Sequence, residues 1–170
     1  MKEIKRLVLA LCILLGIAGI FILYLSWPLL TGTVVILKTQ PVDPFDLFRG
    51  QYMTINYEIS SVELPEETKE GDDIYVSLKE GDDKIWHAAE VSPNKPESGV
   101  FIKGTARDSW RILTIEYGIE QYFFERNAEL PWRDLDVKVK IGSSGQARIV
   151  ELLQYGKPIN ISYRNVSLTS

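Results

Sequence analysis

Residues 7–25 form an unbroken stretch of nineteen uncharged, almost wholly apolar positions, with Lys2, Lys5 and Arg6 just before it. A helix of that length rises about 1.5 Å per residue and reaches roughly 28 Å, close to the hydrocarbon thickness of a bilayer. No polar stripe runs along it, so it is not patterned as an amphipathic helix covering a soluble core. A cleaved secretory signal carries an apolar core of about 7–15 residues and then a small-x-small cleavage site. Here the run is longer and continues into Tyr24, Leu25, Trp27, Pro28 and Leu29 with no Ala-x-Ala pattern. A lipoprotein signal needs a small residue ahead of its cysteine, whereas Leu11 precedes Cys12, which lies mid-span. The stretch reads as an uncleaved anchor over residues 7–27, with residues 1–6 as a tail on one side of the membrane.

Charge orients the anchor. Three bases crowd its amino end, and the first base after it is Lys38. The excess of Lys and Arg marks the cytoplasmic side, and Tyr24 and Trp27 suit the aromatic belt at the far interface. The expected topology is a single pass with the amino terminus in the cytoplasm and the remainder outside. Cys12 is the only cysteine, so the exported part has no disulfide and must be held by packing.

Residues 33–160 are enough for one domain. With Lys2, Lys5, Arg6 and Glu3 set aside from 19 bases and 23 acids, the remainder carries about −6. That balance argues against nucleic acid and against anionic lipid headgroups as partners, because both demand basic patches. Apolar and polar residues alternate with period two over residues 33–39, 52–60, 74–79, 85–91, 100–106, 111–117, 137–141 and 147–155. Turn signals separate these runs, among them Glu80-Gly81-Asp82-Asp83, Gly142-Ser143-Ser144-Gly145 and Tyr155-Gly156-Lys157-Pro158. Residues 119–126 are ambiguous between strand and one or two helical turns. The pattern predicts a mostly β domain, an antiparallel sandwich or barrel-like fold of about eight short strands behind one transmembrane helix. Residues 161–170 read as a polar tail, apart from a possible last strand.

Residues 41–57 contain Pro41-Val42-Asp43-Pro44 and then Leu47-Phe48-Arg49-Gly50-Gln51-Tyr52-Met53-Thr54-Ile55-Asn56-Tyr57. Together with Tyr117-Gly118-Ile119-Glu120-Gln121-Tyr122-Phe123 and Gly145-Gln146-Ala147-Arg148-Ile149, this resembles the GDYXXLXY family of membrane-anchored bacterial proteins, whose name spells its motif. The resemblance implies an architecture and no reaction, and it implies a multi-spanning membrane protein as partner. Two positions depart from the motif: Gln51 stands for its Asp and Ile55 for its Leu. Gln can accept a hydrogen bond as Asp does, yet it neither titrates nor acts as a general base. A structural role for that position therefore fits better than a catalytic one. The candidate binding residues are Arg49, Gly50, Gln51, Tyr52, Ile55 and Tyr57, followed by Tyr117, Gln121 and Tyr122; each has packing as its plainer explanation.

Other constellations are weak. Lys69-Glu70-Gly71-Asp72-Asp73 recurs as Lys79-Glu80-Gly81-Asp82-Asp83, but an extended run of roughly 20 Å separates the two acidic loops. They cannot converge on one Ca²⁺, and turn chemistry explains them better. His87 is the only histidine, too little for a dedicated zinc site, and it alternates with Ile85 and Ala89 like an ordinary strand residue. A Ser–Lys dyad built on Lys103 lacks an identifiable serine, and paired acids such as Glu116 and Glu120 are common on so acidic a domain. Trp86, Trp110, Trp132, Tyr117, Tyr122, Phe123 and Phe124 read first as core and second as a groove. No catalytic residue, metal or cofactor is expected. The expectation is an anchored binding or assembly module that acts on another membrane protein, without enzymatic activity. Its rivals are an anchored hydrolase with an unrecognised site and a small-ligand sensor.

Overall fold

The computed structural model describes residues 2–40, 52–109, 112–125, 128–129, 131 and 134–163. Helix α1 (Lys2–Thr31) contains the apolar run, and after Gly32 alone the chain enters strand β1 (Thr33–Gln40). Within α1, Ile4–Ser26 has a mean hydropathy of 2.9 and none of it is buried by the rest of the protein. This helix is long and apolar enough to cross a membrane. The remaining elements are β2 (Tyr52–Thr54), β3 (Asn56–Tyr57), a 3-10 turn (Glu58–Ser60), β4 (Asp73–Glu80), β5 (Trp86–Ser92) and β6 (Val100–Ser109). They continue as β7 (Ile112–Glu116), β8 (Gln121–Phe123), β9 (Ala128–Glu129), β10 (Leu135–Ile141), β11 (Ala147–Gln154), β12 (Lys157–Pro158) and β13 (Ser162–Tyr163).

The fold is mostly β, as the alternation predicts; among the described residues nine strands join in one sheet that does not close into a barrel. Its order is β12-β11-β10-β1-β5-β4-β6-β7, with β3 also on β1. The strand that follows α1 is thus central. One feature departs from an all-antiparallel arrangement: β1 and β5 run parallel where Leu37 faces Trp86. Residues 119–126 hold no helix among their described positions; β8 is a strand paired with β2. The run at 52–60 is broken in three because its partner changes, from β8 for β2 to β1 for β3.

Both halves of the sheet contribute to one core. Val35 and Leu37 of β1, Val137, Val139 and Ile141 of β10 and Leu152 of β11 meet Ile74 and Val76 of β4, Ile102 of β6 and Ile115 of β7. In β10 the alternation is complete, with Leu135, Val137, Val139 and Ile141 buried and Asp136, Lys138 and Lys140 only partly so. The curl is fastened where the β10–β11 turn meets β6: the Lys103 N–H donates to the Gly145 carbonyl at 2.9 Å. Gly145 has φ +84°, and a Cβ there would lie 2.8 Å from a Phe101 ring carbon and 3.0 Å from Lys103 N. Gly145→Ala combines a left-handed backbone with a steric clash and is expected to destabilise the domain by about 2 kcal/mol in urea unfolding.

Candidate functional site

The two groups of residues singled out in the sequence, some sixty positions apart, are brought into one place. Strand β2 pairs with β8, setting Tyr52 opposite Phe123, Met53 opposite Tyr122 and Thr54 opposite Gln121. Just past this ribbon, the Ile55 N–H donates to the Glu120 carbonyl at 2.7 Å. Two tyrosines then cross between the segments in opposite directions. The Tyr57 hydroxyl donates to the Ile119 carbonyl at 2.7 Å, and the Tyr117 hydroxyl donates to the Ile59 carbonyl at 2.6 Å. The turn after β7 is braced from within, because the Glu120 carboxylate accepts the Tyr117 N–H at 2.5 Å. Gly118, at φ +77°, supplies the left-handed residue that the turn needs.

For several candidates the placement is the packing role that the sequence offered as the plainer explanation. Ile55, Tyr57 and Tyr117 lie in the core, Tyr57 wholly so, and each phenol is satisfied by a backbone carbonyl. Alternation at 55, 57 and 59 faces these side chains inward, so they hold the clasp and offer no surface to a ligand. Tyr122 is half-buried against the same core, while Gln121 is exposed. Arg49, Gly50 and Gln51 fall outside the described residues, as do Trp110 and Trp132; Tyr52 is placed by its pairing with Phe123. Phe123, read in the sequence first as core and second as part of a groove, is 70% exposed on β8 although its neighbours Tyr122 and Phe124 pack inward. Its position next to Tyr122 in a strand was the available signal.

Burial raises the pKa of both Tyr57 and Tyr117 well above the ordinary tyrosine range, and the charge of Glu120 adds to it. An unfolded tyrosine titrates near pH 10, so the folded state holds these two protons more tightly than the unfolded state. Stability from this source is complete below about pH 10 and declines above it, by up to about 1.4 kcal/mol per pH unit for each phenol. Alkaline unfolding followed by circular dichroism should show this decline, and the Tyr57→Phe/Tyr117→Phe protein should lose it.

Elsewhere, charged residues serve local structure. The Lys103 ammonium lies 2.7 Å from Asp73, and this bond raises its pKa, the direction opposite to that a dyad base requires. Glu116 pairs with Arg107 at 3.1 Å. The two acidic loops sit at the two ends of β4 and carry turn hydrogen bonds: Asp72 accepts the Lys69 N–H at 2.8 Å, and Asp83 accepts the Ile85 N–H at 3.0 Å. That backbone bond, followed by the nearby His87, lowers the pKa of Asp83. His87 stands between Glu58, 3.3 Å from Nδ1, and Asp83, 3.6 Å from Nε2. It links the 3-10 turn after the clasp to β5 and its preceding loop. Among the described residues, no three His, Cys, Asp or Glu side chains are grouped as a metal site would need. An open hollow between residues 62–66 and β5 has Val62, Leu64, Ala88 and Val91 as its apolar lining and Glu63, Glu66 and Glu90 as its acids.

The fold and the clasp together define a class of protein: an apolar amino-terminal helix running directly into the central strand of a curled sheet, with reciprocal tyrosines locking two distant segments. A family model described as GDYXXLXY protein matches residues 14–152, and the chain belongs to that family. The family's defining motif falls on residues 50–57, so its described inward positions, Ile55 and Tyr57, are those that build the clasp. No curated protein matches the chain, and no solved structure matches it.

Proposed function

We propose that this protein is a single-pass component of a bacterial cytoplasmic membrane, with its amino terminus inside and its sheet domain outside. In this reading the domain works as a binding or assembly module for another, multi-spanning membrane protein, and it is not an enzyme. The observation that carries the proposal is the junction between helix and sheet. Ile4–Ser26 is apolar and unburied, and one residue after Thr31 the chain is already in the central strand. A domain joined without a linker stays within a few tens of ångströms of the bilayer, which raises its effective concentration toward other membrane proteins. The bases before the span and the lack of any until Lys38 support the orientation. The contact surface proposed is the outer side of the β2–β8 ribbon, with Gln121 and the exposed aromatic ring of Phe123. Exposed aromatics on a rigid strand suit a protein partner.

The test uses the full-length protein in its own membranes. Protease added to spheroplasts should remove the sheet domain and spare the helix; full protection would overturn the orientation. Solubilised in mild detergent, the protein should bring down one defined membrane protein. Phe123→Ala should lower that recovery at least tenfold in protein that circular dichroism shows to be folded. Recovery as a lone monomer, from membranes as well as from detergent, would overturn the module reading.

A further inference from the structure

Strand β5 has one side that the sheet leaves open. Its pairing with β4 runs from Trp86 to Ser92, whereas β1 meets it only where Leu37 faces Trp86. Past that point β1 turns to β3, with Thr39 opposite Tyr57 and Gln40 opposite Asn56. Among the described residues, no strand follows the outer side of residues 88–92. An unpaired strand side presents a row of backbone N–H and C=O groups to which another extended chain can add.

The hollow beside β5 lies along that side. On β5 it is lined by four successive residues, Ala88, Ala89, Glu90 and Val91. Successive side chains alternate between the two faces, so all four can border one space only at the edge of the strand. A bulge widens it: Ser77 faces Glu90 and Leu78 faces Ala88, which leaves Ala89 without a partner on β4. The opposite wall, residues 62–66, is neither helix nor strand. It diverges from β5 after the point where Glu58 meets His87 at 3.3 Å, and beyond it the Thr68 N–H donates to the Pro65 carbonyl at 2.9 Å in a turn. Val62, Leu64, Ala88 and Val91 pack against the core and form an apolar floor, with Glu63, Glu66 and Glu90 exposed around it. The space is about 490 Å³, within the range of ligand clefts.

We propose that this hollow receives an extended basic segment of a partner protein, which adds to β5 as a strand, rests small apolar side chains on the floor and pairs its Lys or Arg with Glu63, Glu66 and Glu90. Charge selects the occupant. Residues 58–67 hold four acids and no base, and among the described residues no ion pair engages Glu63, Glu66 or Glu90. A second copy of this chain would bring the same acids to the same edge, on a domain of about −6, and be repelled. A basic strand meets complementary charge at the rim, which steers it and rejects acidic competitors, while backbone and apolar contacts hold it. The site does not depend on the membrane reading, since the hollow belongs to the sheet domain whichever compartment holds it. It is also separate from the β2–β8 ribbon, none of whose residues line it.

The test follows the fluorescence anisotropy of a labelled, end-blocked Lys-Val-Lys-Val-Lys-Val-Lys peptide mixed with the full-length protein in mild detergent. Saturable binding is expected, and the same peptide with Glu for every Lys should not bind. Affinity should fall at least about tenfold in the Glu63→Gln/Glu66→Gln/Glu90→Gln protein, whose substitutions are all exposed. Ala89→Arg, which sets a base in the hollow at an exposed position, should abolish binding in protein that circular dichroism shows to be folded. Methylating every interior backbone nitrogen of the peptide should also cost at least about tenfold, because the ladder to β5 can no longer form. No saturable binding, or equal binding by the triple variant, would overturn the site. Equal binding of the methylated peptide, or full displacement by spermine at matched charge, would show attraction of any cation and overturn the added strand.

Discussion

Gly104→Ala is expected to destabilise the sheet domain by about 3 kcal/mol, at the severe end for a single added methyl. Gly104 sits inside β6, opposite Ile74, where a glycine ordinarily weakens a strand. A Cβ at this position would collide with Cγ2 of Ile115 and lie 2.8 Å from Cδ1 of Tyr117 and 2.9 Å from the Glu116 carbonyl oxygen. None of the three can yield easily. Ile115 is buried and β-branched, the Glu116 oxygen is backbone, and Tyr117 is held through its hydroxyl to Ile59. The missing side chain is the seat of the Tyr117 ring, so the substitution strains the core and unseats one arm of the clasp. Thermal unfolding should show a midpoint lowered by about 10 °C. Lys79→Ala, exposed on neighbouring β4, should change stability by less than about 0.5 kcal/mol. If Gly104→Ala matched that control, the tight approach of Tyr117 to β6 would be wrong.

Gly104 also shows which parts of this fold were open to sequence reading. Alternation is a local property, so the strands at 33–40, 73–80 and 135–141 stand out from their neighbours alone, as does the membrane-length helix. Pairing is not local. Nothing in residues 52–60 says that they meet residues 117–123, because two β-branched or aromatic runs are compatible with many partners. The ambiguity at 119–126 has the same origin: Tyr122-Phe123-Phe124 places aromatics on both faces, and only the pairing with β2 decides for a strand. The parallel contact of β1 with β5 is likewise a product of the crossover and has no local mark. Of the two roles open to the candidate tyrosines, packing and recognition, sequence alone could not choose. Tyrosines that stand out in a motif suggest recognition, but a phenol is also the side chain that can fill a core and still tie down a distant carbonyl.

Replacing Tyr57 should therefore have the largest effect of any single side chain in the domain, and graded substitutions separate its two contributions. Tyr57→Phe retains the ring and removes the donor, leaving the Ile119 carbonyl without its 2.7 Å partner in the interior. That change is expected to cost about 1–3 kcal/mol. Tyr57→Ala also empties the largest fully buried side-chain site among the described residues, and a loss of about 4–5 kcal/mol is expected. Domains of this size have roughly 5–15 kcal/mol in total, so the alanine variant stands near the edge of folding. The reciprocal bond makes a sharper forecast. Tyr117 fastens residue 59, two positions from Tyr57, while Tyr57 fastens residue 119, two positions from Tyr117. Loosening either arm frees both segments, so the second substitution should cost less than the first. In a double-mutant cycle of Tyr57→Phe with Tyr117→Phe, urea unfolding should yield a coupling of at least about 0.5 kcal/mol, where independent sites would simply add. Additive losses would show two separate hydrogen bonds. Coupled losses would show that the family motif and the segment around Tyr117 fold and unfold as one unit.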